Sequence, residues 1–259
     1  MSLKQSFCYP CFKSPDQNLA DLFKKAAAIG YAATELWSWD DSLESVVKTA
    51  KDAGLVVASI TGHDSIEHGL NSENEHDRIK AELERSIDKA AELGIPGVIC
   101  FSGSRIPNST DLHDLVTCAK GLRKIAPYAE DKGINLNMEV LNSKVDHPGY
   151  QCDRVDWGIA LMEMVQSPRV KLLFDIYHVQ IMEGDVIRNL HRAMPYIGHI
   201  HTAGNPGRKD LDVGEMNYPA ICQSILDAGY EGYVGHEFFT TRADKTDALA
   251  HAFALCNVA

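Results

Sequence analysis

No apolar run in this 259-residue chain approaches the ~20 residues that cross a bilayer as a helix. The first residues, MSLKQSFCYPCF, lack the long apolar core of a secretory signal, so a cytoplasmic protein is expected. Clusters of Lys and Arg are missing too, and the formal net charge is -11. Phosphate backbones are gripped by clustered cations, so nucleic acid is not an expected partner, and neither is a membrane. A G-x-G-x-x-G or Walker loop is also lacking, which argues against an open nucleotide-binding sheet. Linkers and low-complexity stretches are absent, so residues 1–259 are expected to form a single domain.

Cysteine is present but unpatterned. Seven residues, an odd and scattered set, read as reduced thiols. Cys8 and Cys11 form a C-x-x-C. A redox motif leads directly into a helix, whose dipole lowers the thiol pKa. Here Phe12, Lys13, Ser14 and Pro15 intervene, so neither a redox nor a zinc role is expected.

What the chain does have is rhythm. Short apolar runs alternate with segments of helical spacing, eight times over. The predicted strands are Gln5–Tyr9, Ala33–Leu36, Leu55–Ile60, Gly97–Phe101, Ile134–Leu141, a run ending FD at Asp175, Ile197–Thr202 and Tyr233–Phe238. Ser14-Pro15-Asp16 reads as the cap of the first helix, and Gly30, Gly94, Gly133 and Gly229 as helix stops. Hydrophobic residues make up 45% of the chain, enough for a large core. The length is close to the ~250 residues of a closed (β/α)8 TIM barrel. The expected class is therefore α/β, as a single-domain (β/α)8 barrel.

The last four strands end alike. INLNMEV ends near Glu139, KLLFD in Asp175, IGHIH in His201 and YVGHE in Glu237. Side chains alternate along a strand, and the residues on the opposite face, such as Met138, Phe174 and Ile200, are mostly apolar. All four polar groups can thus meet at the C-terminal mouth of the barrel. Three carboxylates so close repel and raise one another's pKa unless a cation intervenes. Carboxylates with one imidazole suit one Mn²⁺, Mg²⁺ or Co²⁺ ion, and Zn²⁺ less well, because structural zinc sites usually contain thiolates.

These residues also carry a resemblance. EVLNSKVDHPGY (139–150), FDIYHVQIMEGD (174–185), GHIHTAGNPGRKDLDVGEMNYP (198–219) and GYEGYVGHEFF (229–239) resemble hydroxypyruvate isomerase-like members of the xylose isomerase-like barrel superfamily. Sugar 3-epimerases are relatives. The resemblance implies that Glu139, Asp175, His201 and Glu237 bind the metal. It further implies that Glu139 and Glu237 form the acid–base pair, and that His178 and Arg208 contact substrate oxygens. The chain departs from hydroxypyruvate isomerases at His201, where those enzymes usually have Gln and the epimerases have His.

The implied chemistry is proton transfer beside a carbonyl through an enediolate, on a small sugar or a 2-oxo or hydroxy acid. Return of the proton to the neighbouring carbon makes an aldose–ketose isomerase. Return to the same carbon from the other face makes an epimerase. A lyase or dehydratase on an inosose or dehydroshikimate would use the same residues. A phosphodiesterase like the barrel-shaped abasic-site endonucleases would want more His ligands and a basic groove. Trp37 and Trp39, with Phe7 and Tyr9, are candidate walls, and His63 is a candidate polar contact. His199 is expected one layer below the site. His76, His113, His191 and His251 are expected on solvated helix faces.

Overall fold

The computed structural model describes residues 2–258. Eight strands, β1 (Lys4–Cys8), β2 (Ala33–Glu35), β3 (Val56–Thr61), β4 (Gly97–Cys100), β5 (Asn135–Glu139), β6 (Val170–Asp175), β7 (Ile197–Thr202) and β8 (Tyr233–His236), follow chain order round a closed parallel barrel. Among the described residues, besides two short 3-10 turns, ten α-helices lie between them. They are α1 (Tyr9–Phe12), α2 (Leu19–Ile29), α3 (Leu43–Asp52), α4 (His76–Leu93), α5 (Asp111–Lys132), α6 (Val155–Val165), α7 (Ile176–Met182), α8 (Val186–Ala193), α9 (Tyr218–Asp227) and α10 (Lys245–Cys256). No helix among the described residues is long and apolar enough to cross a membrane.

Two compact units can be described separately. One comprises the residues up to Ile60 and those from Ile200 onward. In it β1 lies between β2 and β8, with Ser6 opposite Ala33 on one side and Gly235 on the other. β8 in turn places Gly235 opposite His201 of β7. Its core holds edge-to-face aromatic contacts, in which Phe7 meets Phe12, Phe23 and Tyr31, and Phe12 meets Phe238 at 5.0 Å.

The second unit is Thr61–His199. Strands β4, β5 and β6 pair in parallel, with Cys100 opposite Met138 and Glu139 opposite Leu173. Leu83, Ile87, Leu122, Leu136, Leu161 and Leu172 are fully buried there. Helices α4 and α5 stop at Gly94 and Gly133, whose left-handed φ of 76° and 72° disfavours a side chain.

The structure corrects several local expectations. The first long helix starts at Leu19, not after Ser14. Asn18 caps it by accepting from the Ala20 N–H at 2.8 Å, while the Ser14 N–H donates to the Gln17 side chain. Tyr9 leaves the strand to open α1, so a helical turn does follow Cys8 directly. That turn is four residues long, and burial pushes the Cys8 thiol well above its ordinary pKa. All seven cysteines are free and buried. Helix α7 is not among the expected elements, because IYHVQIM is mostly apolar and its periodicity cannot be read. Finally, β8 ends at His236, one residue before Glu237.

Candidate metal centre

In the first unit, three acidic or imidazole side chains make a chain of contacts. Glu35 closes β2 and is 2% exposed. Its Oε2 lies 3.0 Å from His201 Nε2, and its Oε1 accepts from the Ser6 hydroxyl. His201 Nδ1 lies 3.2 Å from Glu237 Oε2. Glu237 sits just beyond β8, where its N–H donates to the Thr202 carbonyl at 3.0 Å and extends the ladder.

Glu237 is also held by two residues from outside its strand. The Trp37 indole N–H donates to Oε1, and Arg208 Nη2 meets Oε2 at 2.5 Å. Burial alone would raise the Glu237 pKa. Arg208, then His201 and Trp37, outweigh that and hold it well below the usual carboxylate range. Arg208 adopts a left-handed φ of 55°, which a non-glycine residue adopts at some cost. Its carbonyl accepts from the Phe239 N–H at 2.8 Å, tying the loop after β7 to the one after β8. Trp37 and Phe239 are partly exposed neighbours with ring centroids 6.2 Å apart.

In the second unit, Glu139 and Asp175 close β5 and β6, and both are buried. Asp175 also caps α7 by accepting from the His178 N–H at 3.1 Å. His178 is fully buried, and its Nδ1 accepts from the Asn142 N–H at 3.1 Å. In the neutral ring the proton is then on Nε2, which lies 3.8 Å from Asp175 Oδ2. The Tyr150 hydroxyl donates to the Glu139 carbonyl at 3.0 Å and fixes the end of β5.

Glu139 and Asp175 in the second unit, and His201 and Glu237 in the first, are all buried, and each offers a ligand atom. Three buried carboxylates brought together would need positive charge among them. Their hard oxygen atoms, with a single imidazole nitrogen, fit a divalent cation of the Mn²⁺ or Mg²⁺ type.

The other candidates fall in varied places. His63 is buried, with Nε2 accepting from the Phe101 N–H at 2.9 Å and Nδ1 3.0 Å from the Asp64 carbonyl. Both ring nitrogens thus face backbone groups. His199 is buried. His76 is buried rather than solvated, with Nε2 2.9 Å from the Leu70 carbonyl. Glu35 is the residue that pattern alone does not single out. Strand β2 is only three residues long, and the two Trp residues after it draw attention away from its terminal carboxylate.

Comparison with known proteins agrees with this architecture. Residues 23–256 match the family described as the xylose isomerase-like TIM barrel. The chain is 28% identical over 239 residues to the putative hydroxypyruvate isomerase of Homo sapiens, covering 88% of this chain and 86% of that one. It is 31% identical over 224 residues to the 2-oxo-tetronate isomerase of Cupriavidus necator, covering 84% and 86%. Among solved structures, the family 2 AP endonuclease of Brucella melitensis superposes with a TM-score of 0.86 at 21% identity, over 100% of both chains. At that identity the likeness concerns the fold alone.

Proposed function

Because the chain belongs to the xylose isomerase-like TIM-barrel family and is an isomerase, we propose that it interconverts the carbonyl and hydroxyl of a small 2-oxo or hydroxy acid. Hydroxypyruvate and a 2-oxo-tetronate are the first substrates to try, given its relatives' names. The observation that carries this reading is the buried group of Glu139, Asp175, His201 and Glu237. These four residues would hold one divalent cation, and residues 1–259 would act as one domain. When bound, such an ion supplies Lewis-acid stabilisation of negative charge on adjacent substrate oxygens.

The chain's own residues do the rest. Arg208 and His201 keep Glu237 in its ionised, proton-accepting form, and it takes the proton beside the carbonyl. Glu139 is the partner that returns a proton at the neighbouring carbon. His178 directs Nε2–H at a substrate oxygen. Arg208 orients Glu237 and offers its fork to a carboxylate or diol. Trp37, the indole donor to Glu237, walls the site and excludes water.

A second reading, a ketose 3-epimerase, is favoured by His201 itself, since the resemblance places His at that position in the epimerases. One experiment separates the readings. Metal-stripped protein is reloaded with Mn²⁺ and incubated in D₂O with hydroxypyruvate, a 2-oxo-tetronate and a panel of ketoses. NMR is then used to follow isomers and the carbon that gains deuterium. Deuterium at the original carbonyl carbon, with the carbonyl moved to its neighbour, is expected. Inversion without migration would make it an epimerase. Turnover of none of these, with dehydration of a cyclic ketone instead, would overturn both.

A further inference from the structure

We propose that Glu35 is a positioning residue for His201: it holds the Nε2–H of that imidazole and so turns Nδ1 toward the other metal donors. The inference deepens the metal-site reading above and rests on it. Strands β2 and β7 are not neighbours, because β1 and β8 lie between them. Glu35 therefore reaches across two strands to meet His201 Nε2 at 3.0 Å.

The barrel is shaped to let it do so. Ser6 on β1 donates its hydroxyl to Oε1, which leaves Oε2 directed at the ring. Beside Ser6 in register is Gly235 on β8, and His201 on β7 is the next partner. Gly235 has no side chain, and a Cβ built there would lie 2.3 Å from Glu35 Oε1 and 3.0 Å from the His201 ring. The carboxylate occupies the space that this glycine vacates. Its burial, its hydroxyl donor and the missing Cβ are three separate features that fix one oxygen against one ring nitrogen.

The chemical consequence follows from the imidazole. A neutral ring has one N–H and one lone pair. A carboxylate facing Nε2 accepts a hydrogen bond there and leaves the lone pair on Nδ1. That nitrogen is the one 3.2 Å from Glu237 Oε2, one of the proposed metal donors. Carboxylates that orient a ligating histidine in this way raise its basicity, and their loss typically weakens metal binding about 10- to 100-fold.

The test compares Glu35→Ala, Glu35→Gln and Gly235→Ala with the wild type and with His201→Ala. Circular dichroism checks folding, and Mn²⁺ affinity is read by calorimetry. ¹⁵N-histidine NMR of the metal-free proteins reads the His201 ring. The wild type should show a slowly exchanging Hε2 on His201. E35A and G235A should lose that signal and bind Mn²⁺ about 10- to 100-fold more weakly. E35Q, which keeps an acceptor oxygen, should retain the signal and most of the affinity. Wild-type affinity or an unchanged Hε2 signal in folded E35A would overturn the positioning role, even if H201A loses the metal. Failure of the wild type to bind Mn²⁺ would overturn the metal reading and, with it, the role assigned to the Nδ1 lone pair.

Discussion

Arg208 and Glu237 are joined twice, by Nη2 to the carboxylate at 2.5 Å and by Nε, which donates to the Glu237 carbonyl at 3.3 Å. The guanidinium side chain is 20% exposed and the carboxylate 6%, so the pair is shielded from much of the solvent. A planar fork can hold carboxylate and carbonyl together, whereas a lysine ammonium cannot. Arg208→Met is therefore expected to lower kcat/KM by about 10²-fold, the scale of removing one oriented donor. Arg208→Lys should restore the charge but only part of that loss. Steady-state kinetics on the substrate found active decides it. Equal rates in R208K and wild type would mean that only the charge matters.

The two glutamates are assigned different jobs, so their amide variants should fail differently. Gln keeps the size and one acceptor oxygen of Glu but cannot carry the proton. Glu237→Gln should cut turnover by about 10²- to 10⁴-fold and abolish exchange of the substrate's proton with D₂O. Glu139→Gln should block product formation while exchange of the first proton continues. Deuterium NMR of unreacted substrate separates the two. Exchange that persists in E237Q and disappears in E139Q would reverse the assignment.

The barrel was legible because strands and helices alternate without a break eight times, and parallel strands covered on both faces read as short apolar runs. Glu139, Asp175 and His201 were legible because a polar residue closing such a run is conspicuous. Glu237 was found by the same logic, although it lies one residue past β8. Glu35 was not, since Ala33–Glu35 is too short for its alternation to be seen. Helix α7 is hidden for the opposite reason: five of its seven residues are buried, so no clear polar face marks the period. The burial of His76 depends on the carbonyl of Leu70, a loop contact that spacing does not encode.

The thiols provide a separate check on the packing. All seven cysteines are buried, and burial pushes the thiols of Cys8, Cys100, Cys118 and Cys152 well above their ordinary pKa, as the hydrogen bond with Cys222 and burial do for Cys256. For Cys256 the hydrogen bond with Cys222 adds more than burial does. Thiol reagents attack the thiolate, so native protein should react slowly. Addition of Ellman's reagent at pH 8 should titrate fewer than one thiol per chain before denaturant and seven after it. Rapid native reaction of two thiols, mapped by mass spectrometry to Cys8 and Cys11, would restore a redox role for that motif.

His63 should make the fold sensitive to mild acid. Its ring is 3% exposed, and Nε2 accepts the Phe101 N–H, so the packed form needs a neutral imidazole. Burial holds its pKa below the ordinary 6.5. Below that ordinary value the unfolded chain binds a proton that the folded chain resists, so stability rises with pH there. The contribution of His63 is thus complete above about pH 6.5 and is lost as pH falls toward the lower, folded value. Melting temperatures measured from pH 8 to pH 5 should fall at the acid end in the wild type. His63→Gln removes the titrating group while keeping an acceptor for Phe101, so it should melt lower at pH 8 but with a flatter acid slope. An identical slope in both proteins would assign the acid sensitivity to other groups.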